Sequence, residues 1–282
     1  MSVPKTILVD LYDPHQAKRL LDVAIGIARP HSAHIIGLFV LPPPLIIGAG
    51  MPGAPSPLII DHVRKHVQKN VDVVKVIFDA AIAGSGCVGE WRVEDAENSS
   101  VSEVLLAHAR SADLIVDSQP IGHADELDAN DLADLLVIES GRPVIIVPVN
   151  GPLLPIGRRI VVGWNGRREA ARAAFDALPL LRGAEAVKVV WVNAGDDPGV
   201  AGDVPTADLC TALARHGVHV EGSDTTPEAF NAGEALLKEV GAFRADLLVM
   251  GCYGHSRLRE FVFGGATQHV LKNMCIPVLM SH

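Results

Sequence analysis

The sequence predicts an α/β fold made of two tandem five-stranded parallel-sheet sandwiches. Three observations carry this expectation. Short runs rich in Val and Ile alternate with longer helical patterns along the whole chain, as in successive βαβ units. The same order of elements then recurs in the C-terminal half. Finally, 49% of residues are apolar but only 4% are aromatic, a balance that suits aliphatic sheets covered by helices. A chain of 282 residues is long for one domain and comfortable for two, each able to bury its own core.

In the first half the expected strands are residues 6–9, 33–40, 88–93, 114–117 and 144–148, each a short β-branched run bounded by turn or polar residues. In the second half they are 159–164, 187–193, 218–222, 247–251 and 278–281. Helical spacing of apolar residues fills the gaps at 15–29, 58–83, 99–110 and 127–139, then at 167–181, 207–215, 228–240 and 260–272. Asn98 ahead of Ser99, with Ser102 and Glu103 following, marks a helix start with acid in its first turn. Pro227 before Glu228 marks another.

The duplication is visible residue by residue. Ala112-Asp113-Leu114-Ile115-Val116 recurs as Ala245-Asp246-Leu247-Leu248-Val249, and Pro143-Val144-Ile145 recurs as Pro277-Val278-Leu279. The two offsets differ by a single position, so the loop and helix between the motifs are nearly equal in length in both copies. A Pro/Gly-rich stretch at 150–157 separates them, which places the expected domains at 1–150 and 151–282.

Several functional classes are disfavoured. A formal charge of −9 without any dense run of Lys or Arg opposes broad contact with nucleic acid. Cys87, Cys210, Cys252 and Cys275 lie too far apart for a zinc motif and are too few for a secreted disulfide scaffold, so they read as reduced thiols of a cytoplasmic protein. The uncharged stretch 35–60 is long enough to cross a bilayer, but six prolines and four glycines within it point to a strand followed by an apolar loop. No export signal is read at the start of the chain, and no membrane association is expected.

The most informative segment follows the fourth strand of the second half. Gly251-Cys252-Tyr253-Gly254 is followed, after nine residues, by Gly264-Gly265-Ala266-Thr267 at the start of a helix. In an open parallel sheet, ligands settle beyond the carboxyl ends of the strands, and a strand-to-helix turn there offers backbone N–H groups to an anion. Glycine lets the main chain approach phosphate oxygens with no Cβ in the way.

This pattern, with the final Pro-Val-Leu strand, resembles the universal stress protein family, and the doubled order of elements resembles its tandem two-domain members. The resemblance implies the adenine-nucleotide alpha-hydrolase-like fold. It also implies a stress-response regulator that binds ATP or a related adenine nucleotide, with or without Mg, in the C-terminal half. Its phosphates would lie on Gly251, Gly254, Gly264, Gly265 and Ala266, beside Met250, while Gly163, Asn165 and Val192 at the strand ends would meet the base and ribose. The family places Ser or Thr directly after the third glycine, where this chain has Gly265, and an Asp where it has Asn165. The resemblance further implies pairing of the two domains through their last strands.

The first half reads differently. Ser118-Gln119-Pro120-Ile121 stands where the glycine turn would be, and the approach to the following helix carries Asp125, Asp128, Asp131 and Asp134, which would repel a triphosphate. No nucleophile elbow, Lys-bearing phosphate loop or paired catalytic carboxylate is found, so slow ATP hydrolysis is the most that the fold would support. The histidines, including His108, His216, His219, His255, His269 and His282, read as solvated or capping side chains, without metal-ligand spacing. Arg257 and Arg259 stand open between phosphate contact and a plain surface role, and Cys252 between a redox-sensitive thiol and simple packing. Two readings of the whole remain: a nucleotide-binding regulator, or a scaffold of the same fold that binds no nucleotide. The apolar loop at 41–57 is compatible with covering a pocket mouth or with joining a second chain in a homodimer.

Overall fold

The computed structural model describes residues 3–43, 57–97, 99–120, 127–151, 155–192, 206–225, 232–252 and 265–282. The N-terminal half runs β1 (Thr6–Asp10), α1 (Pro14–His31), β2 (His34–Leu41), α2 (Pro57–Ser85), β3 (Val88–Asp95), α3 (Val101–Ala109), β4 (Leu114–Ser118), α4 (Leu127–Glu139) and β5 (Val144–Val147). The C-terminal half repeats the order as β6 (Arg159–Trp164), α5 (Arg168–Asp176), α6 (Leu178–Leu181), β7 (Ala186–Val192), α7 (Ala207–Arg215), β8 (Val220–Thr225), α8 (Ala232–Phe243), β9 (Leu247–Gly251), α9 (Gly265–Asn273) and β10 (Val278–Ser281).

The five expected strands of each half are present, but they do not form two separate sheets. All ten make one sheet in the order β3-β2-β1-β4-β5-β10-β9-β6-β7-β8. Every neighbouring pair is parallel except β5 and β10, which meet antiparallel with Val144 opposite Met280, Ile145 opposite Leu279 and Ile146 opposite Val278. The reason lies in burial: β5 is apolar, β10 is apolar up to Ser281, and both are buried throughout, so an unpaired edge on either would leave its backbone groups without partners.

Side-chain alternation along the strands fills two continuous cores, one on each face of the sheet. Ile7, Val9, Leu114, Val116, Ile145, Leu279, Leu247 and Ile160 pack under α1, α2, α5, α6 and α7. Leu8, Ile115, Ile146, Val278, Leu248 and Val161 pack under α3, α4, α8 and α9. Both cores pass across the β5/β10 seam.

The repeated Ala-Asp-Leu motif has a physical role in this arrangement. Asp113 accepts the amides of Lys5 (2.8 Å) and Thr6 (2.9 Å) as the chain enters β1. Asp246 does the same for β6, accepting from Gly157 (2.7 Å), Arg158 (3.1 Å) and Arg159 (3.0 Å). Each carboxylate thus ties the start of the fourth strand to the start of the first, and the duplicated sequence is a duplicated capping device.

Some boundaries differ from expectation. The helix at 99–110 starts later, because Ser100 is its N-cap and closes a capping box with Glu103; Asn98 lies outside the described residues. Helix α1 continues through Pro30 to His31, and Ser32 then turns left-handed with φ 51°. The expected helix 167–181 divides at Ala177, where Pro179 enters the first turn of α6. Strand β8 begins two residues later than expected and extends to Thr225.

Polar bonds also cross the seam. The Gln119 side-chain amide donates to the Leu271 carbonyl (2.5 Å), one of the last carbonyls of α9, and its oxygen accepts from Val149 N (3.1 Å). Arg19 on α1 donates to the carbonyls of Pro148, Asn150 and Gly151. Gln119→Ala removes two bonds that bridge α9 and the end of β5, and is expected to destabilise the protein by about 1–3 kcal/mol in urea denaturation.

Candidate functional site

The order β10-β9-β6-β7 fixes where a ligand can enter the second half. After β6 the chain moves outward to β7, and it later returns to place β9 on the other side of β6, so the loops leaving β6 and β9 diverge and leave a crevice at their carboxyl ends. Gly163, Asn165, Met250 and Gly251 gather there, and α9 begins beyond it at Gly265. Gly254, Gly264, Arg257, Arg259 and His255 lie outside the described residues.

The described candidates do different things. Gly163 packs against α8: a Cβ there would stand 3.2 Å from both Leu236 methyls and 3.7 Å from Met250 Cβ. Met250 is 4% exposed and belongs to the core on that side. The crevice floor between β6 and β9 is therefore closed by Leu236 and Met250 on the α8 face. Gly251 faces the other way, where a Cβ would overlap the backbone of Glu169 and Ala170 at the start of α5. Its lack of a side chain is what allows α5 to lie across the end of β9.

Asn165 is exposed, and its side-chain oxygen accepts from Arg167 N (3.1 Å), closing a turn that leads into α5. Its amide nitrogen is the part left to meet a ligand. Val192 ends β7 beside β6, with Trp164 opposite Trp191 one register position before it. The side chain of Val192 lies outside the described set.

At the start of α9, Gly265 is exposed and nothing lies within 4 Å of the position a Cβ would take. Ala266 is half-buried, and its carbonyl sits 2.6 Å from the Cβ position of Gly233, where α8 and α9 cross closely. Thr267 is buried, so its hydroxyl does not stand at the helix mouth as a replacement for the family's Ser or Thr. The first four amides of a helix have no partner within it, and the helix dipole favours negative charge beside them.

The Cys252 environment excludes a reactive thiol. Cys252 N donates to Ser281 O (3.1 Å), its Sγ donates to the same oxygen (3.4 Å), and the residue is buried. Burial, with Asp134 and Glu169 nearby, pushes the thiol well above its ordinary range, so it stays protonated. Glu169 is itself held below its usual range: burial acts upward but is outweighed by the hydrogen bond from Arg168, its own backbone amide, and the charges of Arg168 and His282. Asp134 belongs to α4 of the other half, so its influence on Cys252 crosses the seam. At 3% exposure it also points inward, not toward solvent where it would repel a triphosphate.

Among the described residues, no group of three His, Cys, Asp or Glu side chains is placed to hold a metal ion, and no helix is long and apolar enough to cross a membrane. A cavity of about 250 Å³ lies beside the starts of β4 and β5, lined by residues of both halves that include Pro4, Asp113, Arg142, Asp176 and Leu180.

A parallel sheet that switches direction at β6, with helices on both faces, defines an open, doubly wound α/β fold. The universal stress protein family matches residues 157–282, so the C-terminal half is a universal stress protein domain. Universal stress protein Slr1230 of Synechocystis sp. is 45% identical over 49 residues, a segment that spans 17% of this chain and 17% of that protein. A universal stress protein from Archaeoglobus fulgidus DSM 4304 shares the fold across both halves, with a TM-score of 0.72 at 15% identity over 99% of this chain and 96% of that one. A putative universal stress protein from Pseudomonas aeruginosa UCBPP-PA14 has a TM-score of 0.57 at 14% identity, over 99% and 93% of the two chains.

Two glycines of the site are expected to respond oppositely to a methyl group. Gly251→Ala meets backbone that no rotamer change can move, and is expected to cost about 1–3 kcal/mol in thermal or chemical denaturation. Gly265→Ala meets open space and is expected to leave stability unchanged or slightly raised. In native alkylation followed by mass spectrometry, exposed Cys275 is expected to label first and Cys252 last.

Proposed function

We propose that the C-terminal half binds an adenine nucleotide, ATP or a relative, and that occupancy acts as a regulatory signal in a stress response, without rapid chemistry. One observation carries the reading: α9 opens at an unobstructed, exposed glycine beyond the crevice where β6 and β9 diverge, inside the segment that matches the family. The phosphates would lie on the amides of Gly265 and Ala266 and on the glycine turn at 251–254 and 264, with base and ribose toward Asn165 and Val192. A Mg ion would then be held mainly by the phosphates themselves. The chain is proposed to act in the cytoplasm, which suits its four free thiols, with units near 1–150 and 151–282.

A second reading, a scaffold that binds no nucleotide, is favoured by the structural use already made of this region. Gly163 accommodates Leu236, Gly251 accommodates the α5 backbone, and Cys252 N is taken by Ser281 O. Calorimetric titration with ATP and AMP separates the two. Binding by the wild type, kept by Gly265→Ala and weakened at least about tenfold by Gly265→Glu, supports the regulator, because the added carboxylate repels phosphate where a neutral methyl does not. Absence of binding by any adenine nucleotide leaves the scaffold. Phosphate release no faster than from the Gly265→Glu protein excludes hydrolysis.

A further inference from the structure

The N-terminal half carries something of its own at the matching crevice. Where the second half has Gly163 and Met250, the first has Asp10 and Asp117, just beyond the paired stretch of β1 and β4. The β1/β4 ladder ends with Val9 opposite Val116, and Asp10 and Asp117 follow one step on. Neighbouring strands lie about 4.8 Å apart, so the two side chains rise side by side. Alternation places both on the face of Leu8 and Ile115, under α3 and α4. Asp10 is 2% exposed and Asp117 3%.

Their surroundings offer no countercharge among the described residues. On that face β2 contributes Leu38 and Val40, and β5 contributes Val144 and Ile146. From α3 come Glu103, whose carboxylate accepts from Ser100 N, and His108, which is turned to Arg92 and Glu94. From α4 come Asp134 and Glu139, which are acids themselves. At the start of α1, Asp13 accepts from His15 N. Asp117 Oδ1 accepts from Ser118 N (2.7 Å), while the Leu11 amide that follows Asp10 donates to the Leu38 carbonyl (2.9 Å).

Two adjacent buried carboxylates without a cation cannot both be charged, since each is desolvated and each repels the other. We propose that Asp10 and Asp117 form a proton-operated latch: protonated, the pair holds the carboxyl ends of β1 and β4 together, and on losing its protons it drives them apart.

The electrostatics agree in direction. Burial raises Asp117 to about 7, against a lowering by the Ser118 amide. Burial and then the charge of Asp117 raise Asp10 well above the carboxylate range. A folded-state value raised above the unfolded one favours the protonated form, so the stability it confers is complete below about pH 4 and is lost as pH rises toward about 7. The effect has a path to the second half, because Gln119, two residues beyond Asp117, holds the end of α9.

The latch is tested on the full chain, without nucleotide. In chemical denaturation from about pH 4 to about pH 8, the folding equilibrium constant of Asp117→Asn relative to wild type is expected to rise with pH, by roughly a hundredfold or more across the window. Amide exchange corrected for its intrinsic pH dependence is expected to show β1, β4 and Gln119 losing protection with pH more steeply in the wild type than in the variant, which keeps only Asp10. The infrared carbonyl band of a protonated carboxylic acid is expected in the wild type near pH 6 and is expected to diminish in Asp10→Asn and in Asp117→Asn. A variant-to-wild-type ratio that stays constant with pH overturns the proposal. So does a wild-type spectrum showing only carboxylate near pH 6, a measurement that stands even if both variants fail to fold.

Discussion

The antiparallel contact between β5 and β10 is the constraint on which the rest of the molecule depends. It is short, with three paired positions on strands of four residues, yet it lies at the centre of a ten-stranded sheet. Because every other neighbouring pair is parallel, this one reversal relates the halves by an approximate twofold rotation, and the carboxyl ends of their strands point in opposite directions along the sheet. The cores on both faces run through the seam, so the halves share buried apolar surface as well as backbone hydrogen bonds. The exchange of side chains across it, Gln119 to α9 and Asp134 toward Cys252, follows from that symmetry.

Within this shared frame the two crevices have diverged in a specific way. In the second half the positions at the ends of the first and fourth strands are a glycine and a methionine, packed neutrally beneath α8. In the first they are two buried acids. Buried acids at the first crevice oppose an anion there, whereas the glycine and methionine of the second add no such charge. The chain is a duplicated fold whose two copies differ at this position by two buried acids against a glycine and a methionine.

Much of the architecture was legible in the residues. All ten strands, and the doubled order of elements, followed from periodicity and from the recurrence of Ala-Asp-Leu, because short buried strands in a covered sheet must be aliphatic on both faces. The misplaced boundaries have local causes: Ser100 caps a helix assigned to start earlier, and Pro179 splits a continuous helical pattern. The glycine turn was legible as a pattern, but the work of each glycine was not. Gly251 looked like a phosphate contact, and its absent side chain is required by the backbone of α5, which is 82 residues earlier in the chain.

What the sequence alone determined is the local and the repeated: strand identity, the doubled topology, the recurrence of Ala-Asp-Leu, and a glycine-bearing helix start near Gly265. The pairing of the halves through their last strands, which the family resemblance implied, is seen as the β5/β10 contact; only the tertiary structure decided that Cys252 is sealed from chemistry, and that Asp10 and Asp117, 107 positions apart, stand side by side without a countercharge among the described residues. The physical reason is that burial and pairing are properties of register between distant strands. A residue's type sets what it costs to bury, but which partner it meets there is fixed only when the strands are laid together.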